Sequence, residues 1–212
     1  MNEQQLREQI CAAAKSLFDR GLTHGSTGNI SARCEDGWLL TPTGSNLGAL
    51  DPARLSKLDW SGKLISGDAP SKENFLHLCM YQQRARSGAV IHLHSTHSVA
   101  VSVIDGVNAD NVLPPITAYY VMRIGTLPLV PYFAPGDMGL ADAVRALASR
   151  HHAVLLANHG PVVAGNNLAA ASDAIEELEA TAKLYLLLQG HKTRCLTESQ
   201  CAELKQKFSG RD

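Results

Sequence analysis

Apolar residues recur at helical spacing in three long segments of the chain. Positions three and four residues apart give each segment one apolar face, which predicts helices over Glu3–Arg20, Leu140–Arg150 and Leu168–Gln189. A further helix is predicted from its start, with Ser71 as the N-cap and Glu73 in the first turn, and should end near Arg84. The segment Thr197–Gln200 has the capping-box pattern that begins a last helix.

Shorter apolar and alternating runs, bounded by turn-forming residues, predict strands. They are Trp38–Thr41, Leu58–Trp60, Lys63–Ile65, Ala89–His94, Leu127–Tyr132 and Ala153–Ala157. Ser61 and Gly62 fit a hairpin turn between the second and third of these runs. Because helices and strands alternate without a repeat or a linker-like segment, we expect one α/β domain over residues 1–212, with a sheet flanked by helices.

Composition narrows the classes of function. The chain has 45% hydrophobic and 18% charged residues and a net charge of -1, so it lacks the basic excess with which proteins bind nucleic acid. Its five cysteines are scattered without a Cys-x-x-Cys pair, which favours reduced thiols. The polar N-terminus does not have the pattern of a secretory signal, and no apolar run is long enough to cross a bilayer. We therefore expect a cytoplasmic protein with neither a nucleic-acid nor a membrane partner.

Three histidines form the sharpest chemical signal. His92 and His94 are two residues apart on a predicted strand, where side chains at that spacing point to the same face. His159 follows directly after another predicted strand. Three neutral imidazoles with an open position are typical of a catalytic metal site, although a His-x-His pair alone is as often structural or exposed. The sequence thus predicts a divalent ion held by His92, His94 and His159.

Glu73 is the leading acid-base candidate, since a carboxylate beside a metal in a dry cleft can have its pKa tuned for proton transfer. On spacing alone, Glu73 is better explained as a first-turn glutamate that interacts with the helix dipole, and only a match over a wider pattern favours the acid-base role. His97 is interpreted as a structural or supporting group. The remaining histidines have no partner spacing and are expected at the surface or in an ordinary core: His24, His77, His151, His152 and His191.

Short polar segments supply candidate phosphate ligands. They are Gly28-Asn29, Thr43-Gly44-Ser45 and Ser71-Lys72. Backbone N–H groups in glycine loops and at a helix start attract anions, and Lys72 adds a full positive charge. Each segment by itself is a common turn, but three of them beside a metal triad favour a phosphorylated substrate.

Together these residues resemble the class II aldolase/adducin family over nearly the whole chain. The matching segments are Ser26–Ser31, Leu40–Gly44, Pro70–Glu73, His92–His94 and Asn158–Gly160. The resemblance implies a three-layer α/β/α sandwich around a mostly antiparallel central sheet. It also implies a homotetramer with active sites at the subunit interfaces.

Carried over by position, the resemblance assigns a role to each candidate residue. His92, His94 and His159 match the metal ligands, and Glu73 matches the acidic residue that binds the resting ion or moves the proton. The residues that match the phosphate-binding segments are Gly28, Asn29, Thr43, Gly44, Ser71 and Lys72. Three imidazoles suit Zn2+ best, with Mn2+ or Co2+ as alternatives.

Within the family, the chain looks most similar to the 3-oxo-tetronate 4-phosphate decarboxylases. Such enzymes would remove carbon dioxide from the substrate to leave an ene-diolate that the metal stabilises. The product would be dihydroxyacetone phosphate, formed in the breakdown of four-carbon sugar acids. A tyrosine is expected there as the proton donor, and either Tyr119 or Tyr120 could fill the role. If that segment is extended, the two point to opposite faces and only one reaches the site; Tyr120 is the preferred candidate.

Two other functions are compatible with the same metal site. A fuculose-phosphate aldolase or a pentulose-phosphate 4-epimerase would act on a phosphorylated ketose through a related intermediate, but Lys72 departs from the Ser-Ser pattern of the fuculose enzyme. A non-catalytic binding module similar to the adducin head would be expected to lack ligands. The presence of all three histidines and Glu73 favours an enzyme.

Overall fold

The computed structural model describes residues 2–134 and 136–208, and a mixed sheet of eight strands forms its centre. The strands are β1 (Asn29–Cys34), β2 (Gly37–Leu40), β3 (Ser56–Leu58), β4 (Leu64–Ser66), β5 (Ala89–His92), β6 (Leu129–Val130), β7 (Ala153–Leu156) and β8 (Gly160–Gly165). Their order across the sheet is β4-β3-β2-β1-β5-β8-β7-β6. Each neighbouring pair is antiparallel except β6 and β7, which run parallel. The expected mostly antiparallel sheet is therefore confirmed.

Helices cover both faces of this sheet. They are α1 (Glu3–Asp19), α2 (Asn74–Gln83), α3 (Thr96–Ser102), α4 (Ala118–Arg123), α5 (Gly139–Ala148), α6 (Leu168–Leu187) and α7 (Glu198–Phe208). One buried cluster includes Ile10 of α1 and Leu178 of α6, and a separate cluster includes Met80 of α2 and Val144 of α5. Two apolar clusters on opposite faces of one sheet make a three-layer α/β/α sandwich, as the sequence predicted.

The amphipathic helices begin and end close to their predicted bounds. The capping box of the last helix is also present: the Thr197 hydroxyl accepts from the Gln200 backbone N–H, and the Gln200 side chain accepts from the Thr197 N–H. The predicted hairpin is confirmed as well, since β3 and β4 pair antiparallel and Gly62 has a φ of 85° in the turn between them.

Two local predictions are wrong, and the condition set for the tyrosine pair is not met. Helix α2 begins at Asn74 with Glu73 as its N-cap residue, so Ser71 is not the cap and Glu73 is not in the first turn. Strand β5 ends at His92, which leaves His94 beyond it. Tyr119 and Tyr120 are in helix α4, which begins after Thr117, whose hydroxyl accepts from the Tyr120 N–H, so this segment is not extended.

The described part of the chain contains no helix with the length and apolar character needed to span a membrane.

Candidate metal centre

Three backbone segments bring the histidines together at one end of the central strands. His92 is the last residue of β5, and His94 follows it by two residues. His159 is in the short loop between β7 and β8, where Asn158 has a left-handed backbone with a φ of 57°. Because β8 is paired with both β5 and β7, the sheet itself holds this loop beside His92.

Glycines allow the backbones around the histidines to approach closely. A Cβ atom on Gly28, where φ is 80°, would lie 2.9 Å from the carbonyl oxygen of His92. A Cβ atom on Gly160, where φ is 155°, would lie 2.3 Å from the carbonyl oxygen of Leu93. Both positions therefore require glycine for steric and conformational reasons.

The imidazole Nε2 atoms of the three histidines converge. His159 Nε2 is 3.3 Å from His92 Nε2 and 3.1 Å from His94 Nε2. The Glu73 carboxylate lies in the same cluster, with one oxygen 3.1 Å from His159 Nε2 and the other 3.5 Å from His92 Nε2. One ligand atom from each of these four residues lies within 4.8 Å of the other three, so the group could hold a metal ion.

The spacing of these atoms fits a small divalent cation. Ligand atoms at about 2.0 to 2.1 Å from Zn2+ and at tetrahedral angles stand about 3.3 Å apart, close to the observed separations. His92 donates from Nδ1 to the Pro161 carbonyl oxygen at 2.8 Å, which leaves its Nε2 lone pair directed into the cluster. Several lone pairs at such short range repel one another unless a cation or proton lies between them. The donor set therefore fits a bound divalent metal.

The electrostatics of the cluster favour the protonation states that a metal requires. Burial lowers the pKa of His94 to about 3 and also lowers the pKa of His92, so both rings are neutral at pH 7. Burial raises the pKa of the Glu73 carboxyl, but hydrogen bonds from His159 and the Asn29 amide oppose it and hold that pKa below the ordinary value. An anionic carboxylate and neutral imidazoles can bind a cation without first releasing protons.

Asn29 connects the metal cluster to a predicted phosphate segment. Its register partner across the β1–β5 pair is His92, and its Nδ2 group donates to Glu73 Oε2 at 2.7 Å and to Ser71 Oγ at 3.1 Å. Asn29 and Ser71 are buried. Two of the candidate phosphate ligands thus touch each other directly beside Glu73.

The other candidate phosphate ligands lie on segments next to Ser71. Pro42 and Pro70 form an isolated antiparallel bridge, and the Thr43 N–H donates to the Ala69 carbonyl oxygen at 2.9 Å. The loop with Thr43 and Gly44 therefore runs beside the segment that leads to Ser71. Thr43, Gly44 and Lys72 are exposed, where they are available to an anion.

The two candidate tyrosines have opposite environments. Tyr120 is fully buried, and its hydroxyl has no hydrogen-bond partner among the described residues. Burial accordingly raises its pKa. Tyr119 is 62% exposed and lines an open cavity of about 530 Å³ together with His97. Since the segment is helical, the geometric reason for preferring Tyr120 no longer applies.

His97 does not join the metal cluster. Its backbone N–H and its Nδ1 atom both bond Glu179 of α6, at 2.9 and 2.8 Å, which agrees with a structural interpretation. His77, in contrast, takes part in a buried hydrogen-bond network that sequence reasoning missed: its Nε2 atom lies 2.5 Å from Asn29 Oδ1. The available signal was the four-residue spacing from Glu73, at the start of α2, to His77, because residues four apart along a helix lie on the same side.

Comparison with known proteins gives a consistent family assignment. The sequence profile described as the Class II Aldolase and Adducin N-terminal domain matches residues 8–186. The 3-oxo-tetronate 4-phosphate decarboxylase of Escherichia coli strain K12 is 51% identical over 204 residues, covering 96% of each chain. The L-fuculose phosphate aldolase of the same strain is 32% identical, covering 98% of this chain and 96% of its own.

A solved structure agrees with these sequence matches. The crystal structure of YgbL from Escherichia coli superimposes with a TM-score of 0.94 at 49% identity, covering 96% of this chain and 99% of that one. The segment that matches the family, residues 8–186, includes all four residues of the metal cluster. The chain belongs to the class II aldolase and adducin family.

Proposed function

We propose that this chain is a metal-dependent 3-oxo-tetronate 4-phosphate decarboxylase. The observation that carries the proposal is the 51% identity, over nearly the full length, to a relative of that name. The identity to a relative named as a fuculose phosphate aldolase is lower, at 32%. The converged Glu73, His92, His94 and His159 side chains support an active enzyme over a silent binding module.

The reaction breaks one carbon-carbon bond. In a 3-oxo-tetronate 4-phosphate, the bond between C1 and C2 breaks, C1 leaves as carbon dioxide, and its electron pair remains as an ene-diolate across C2 and C3. One proton added at C2 then gives dihydroxyacetone phosphate. A divalent ion supplies Lewis acidity that stabilises the negative charge of this intermediate.

The chain's own residues bind and orient the phosphate. The buried Asn29 amide and Ser71 hydroxyl lie together beside Glu73, and the exposed Thr43, Gly44 and Lys72 lie on the adjoining loops. Gly28 precedes Asn29 and allows the β1 backbone to lie close to His92. Lys72 neutralises charge on the phosphate, while the amide and hydroxyl fix its position.

Proton delivery at C2 requires a hydroxyl or carboxyl that can reach the substrate. We assign the tyrosine role to Tyr119, because its side chain is exposed whereas the Tyr120 hydroxyl is enclosed in the apolar core. In a tetramer with active sites at the interfaces, an exposed Tyr119 is available to the site of a neighbouring subunit. Glu73, the acidic residue of the cluster, is the second group able to carry the proton.

Zn2+ is the proposed ion, with Mn2+ and Co2+ as alternatives. Three imidazoles and one carboxylate at about tetrahedral spacing suit zinc, which tolerates mixed nitrogen and oxygen ligands. We further propose a homotetramer of single-domain subunits in the cytoplasm. The one continuous sheet supports a single domain, and the exposed Tyr119, Leu184 and Leu187 support burial in an assembly.

A class II sugar-phosphate aldolase of the fuculose-phosphate type is the second candidate, favoured by the relative of that activity at 32% identity. A pentulose-phosphate 4-epimerase would also use a phosphorylated ketose. The experiment is to give metal-loaded protein a 3-oxo-tetronate 4-phosphate, L-fuculose 1-phosphate and a pentulose 5-phosphate in parallel. We expect turnover of the first at least about a hundredfold faster than of the others, and preferred cleavage of fuculose 1-phosphate would replace this proposal by the aldolase.

A further inference from the structure

A continuous chain of buried hydrogen bonds leads away from the metal cluster into the core. Glu73 accepts from Asn29, and Asn29 Oδ1 lies 2.5 Å from His77 Nε2. His77 Nδ1 lies 2.7 Å from Ser31 Oγ, which lies 2.8 Å from the Tyr81 hydroxyl. The four residues beyond Glu73 are each at most 3% exposed. No role in the proposed reaction yet accounts for His77, Ser31 or Tyr81.

This series of hydrogen bonds forms because a helix and a strand with matching repeats face each other. Glu73, the N-cap residue of α2, and His77 and Tyr81 within the helix follow one another at four-residue intervals, which correspond to about 6 Å along a helix. Asn29 and Ser31 are two residues apart on β1, which corresponds to about 6.6 Å along a strand. The two repeats are nearly equal, so side chains from the two elements alternate without a break.

The donor and the acceptor can be assigned in each hydrogen bond of this series. A carboxylate only accepts, so the Asn29 amide nitrogen faces Glu73 and its oxygen faces His77. His77 must then carry its proton on Nε2, and its Nδ1 must accept from the Ser31 hydroxyl. Burial lowers the pKa of His77 to about 3, which agrees with a neutral ring of this one tautomer. Trp38 stacks against the ring, with 6.2 Å between centroids and a 13° interplanar angle.

We propose that His77 is a positioning residue for the metal site, acting on Glu73 through the Asn29 amide. The His77 Nε2–H group holds the Asn29 oxygen, which keeps the amide nitrogen turned toward Glu73 Oε2. Glu73 is thereby held with its other oxygen toward His159. Without the His77 donor, the Asn29 oxygen loses its partner, only Glu73 and Ser71 still hold the amide, and the amide is less strictly fixed against Glu73. This inference rests on the proposed metal centre.

The test compares His77→Phe with His77→Gln. Phenylalanine fills the cavity but has no donor, whereas the glutamine amide nitrogen can occupy nearly the position of Nε2 and donate to Asn29. Zn2+ affinity is measured by competition with a chelator, and the visible absorption of Co2+-loaded protein reports the ligand set. We expect His77→Phe to weaken Zn2+ binding about tenfold and change the Co2+ spectrum, and His77→Gln to restore most of both.

Two controls separate positioning from general damage to the core. Leu76→Ala removes a fully buried neighbour on α2 that has no polar contact with Asn29, so it should destabilise the fold yet leave Zn2+ affinity nearly unchanged. In protein that already carries Asn29→Ala, His77→Phe should have no further effect on Zn2+ affinity, because its route to Glu73 is gone.

Specific outcomes overturn the inference. An unchanged Zn2+ affinity in folded His77→Phe, an additive effect with Asn29→Ala, or an equal loss of affinity in Leu76→Ala would each show that His77 does not position Glu73. Wild-type protein that binds neither Zn2+ nor Co2+ would instead remove the proposed metal centre, so the two failures are distinguishable.

Discussion

Tyr119 and Tyr120 are adjacent in the sequence but differ in what their hydroxyl groups can do. Tyr119→Phe removes an exposed hydroxyl that we assign to proton transfer, so kcat should fall roughly a hundredfold to ten-thousandfold with metal content unchanged. Tyr120→Phe removes a buried hydroxyl without a partner among the described residues. It should leave kcat near wild type and raise the free energy of unfolding by up to about 1 kcal/mol.

Both variants are measured side by side for turnover, metal content and urea denaturation. Wild-type kcat in Tyr119→Phe with a large loss in Tyr120→Phe would return the role to Tyr120. If both keep full turnover, Glu73 or a bound water delivers the proton.

His94 and His191 provide a matched pair of histidine substitutions. His94→Ala deletes a member of the metal cluster, so Zn2+ affinity should fall by more than the roughly 10 to 100-fold that changes outside the ligand set cost, and turnover should fall with it. His191 is exposed and distant from the cluster in sequence, and His191→Ala should change neither quantity. Metal analysis after dialysis measures the effect, and full metal content in His94→Ala would exclude it as a ligand.

Among individual residues, the sequence could predict a member of the site only where its spacing alone determines which way its side chain points. His92 and His94 were paired from the two-residue repeat of a strand, although β5 ends at His92, and His159 was added from its place at a strand end. His77 was assigned to the surface or an ordinary core because its partners, Asn29 and Ser31, come from a different element. Hydrogen bonds between side chains of different helices and strands depend on how those elements pack together. The periodicity of apolar residues in the sequence gives no information on that packing.

At the scale of secondary-structure elements, the close approach of β8 to the segment after β5 is the feature that unites the cluster. Gly160→Ala would place a Cβ atom 2.3 Å from the Leu93 carbonyl oxygen and force the two backbones apart. We expect a loss of roughly 1 to 3 kcal/mol in the free energy of unfolding, together with weaker Zn2+ binding.

Gly190→Ala is the control for this substitution. Gly190 also has a positive φ, at 81°, but a Cβ atom there would meet nothing within 4 Å. It should cost about 1 kcal/mol of stability through backbone strain alone and leave Zn2+ affinity unchanged. Equal effects of the two variants on Zn2+ affinity would disprove a role for the β5–β8 approach.

The long elements could be predicted from the sequence because their apolar faces repeat over several turns. Helix α1 and helix α6 lie close to their predicted bounds for this reason. The short α4 was missed, since six residues carry too little periodicity to separate a helix from an extended segment. The start of α2 was misplaced because Ser71 looks like a cap, whereas its hydroxyl accepts from the Asn29 amide beside the metal cluster and from the Glu73 N–H before the helix begins.

For the whole molecule, the proposed assembly makes a direct prediction. Light scattering should give a mass about four times the 22.7 kDa of one chain, and turnover per chain should fall on dilution below the dissociation range of the tetramer. The physical reason is that an exposed Tyr119 reaches a neighbouring site only in the assembly. A stable monomer with full activity would contradict this arrangement.

The overall architecture was predicted by two separate routes. Alternating helix and strand patterns indicated a sheet covered by helices, and the mostly antiparallel character of that sheet came only with the family resemblance. The order of the strands across the sheet followed from neither route. Strand β5 pairs with β1 and β8, partners far apart in sequence, and such pairing depends on the global packing.

The most direct test of the central claim is decarboxylation of a 3-oxo-tetronate 4-phosphate in deuterium oxide. Metal-loaded protein should release one carbon dioxide for each dihydroxyacetone phosphate formed. The product should carry a single deuterium on the carbon that was C2, because the solvent supplies the proton that replaces the carboxylate. The same protein treated with a chelator should be inactive until Zn2+, Mn2+ or Co2+ is restored. No carbon dioxide from the metal-loaded protein, or equal turnover by the metal-free protein, would contradict the account.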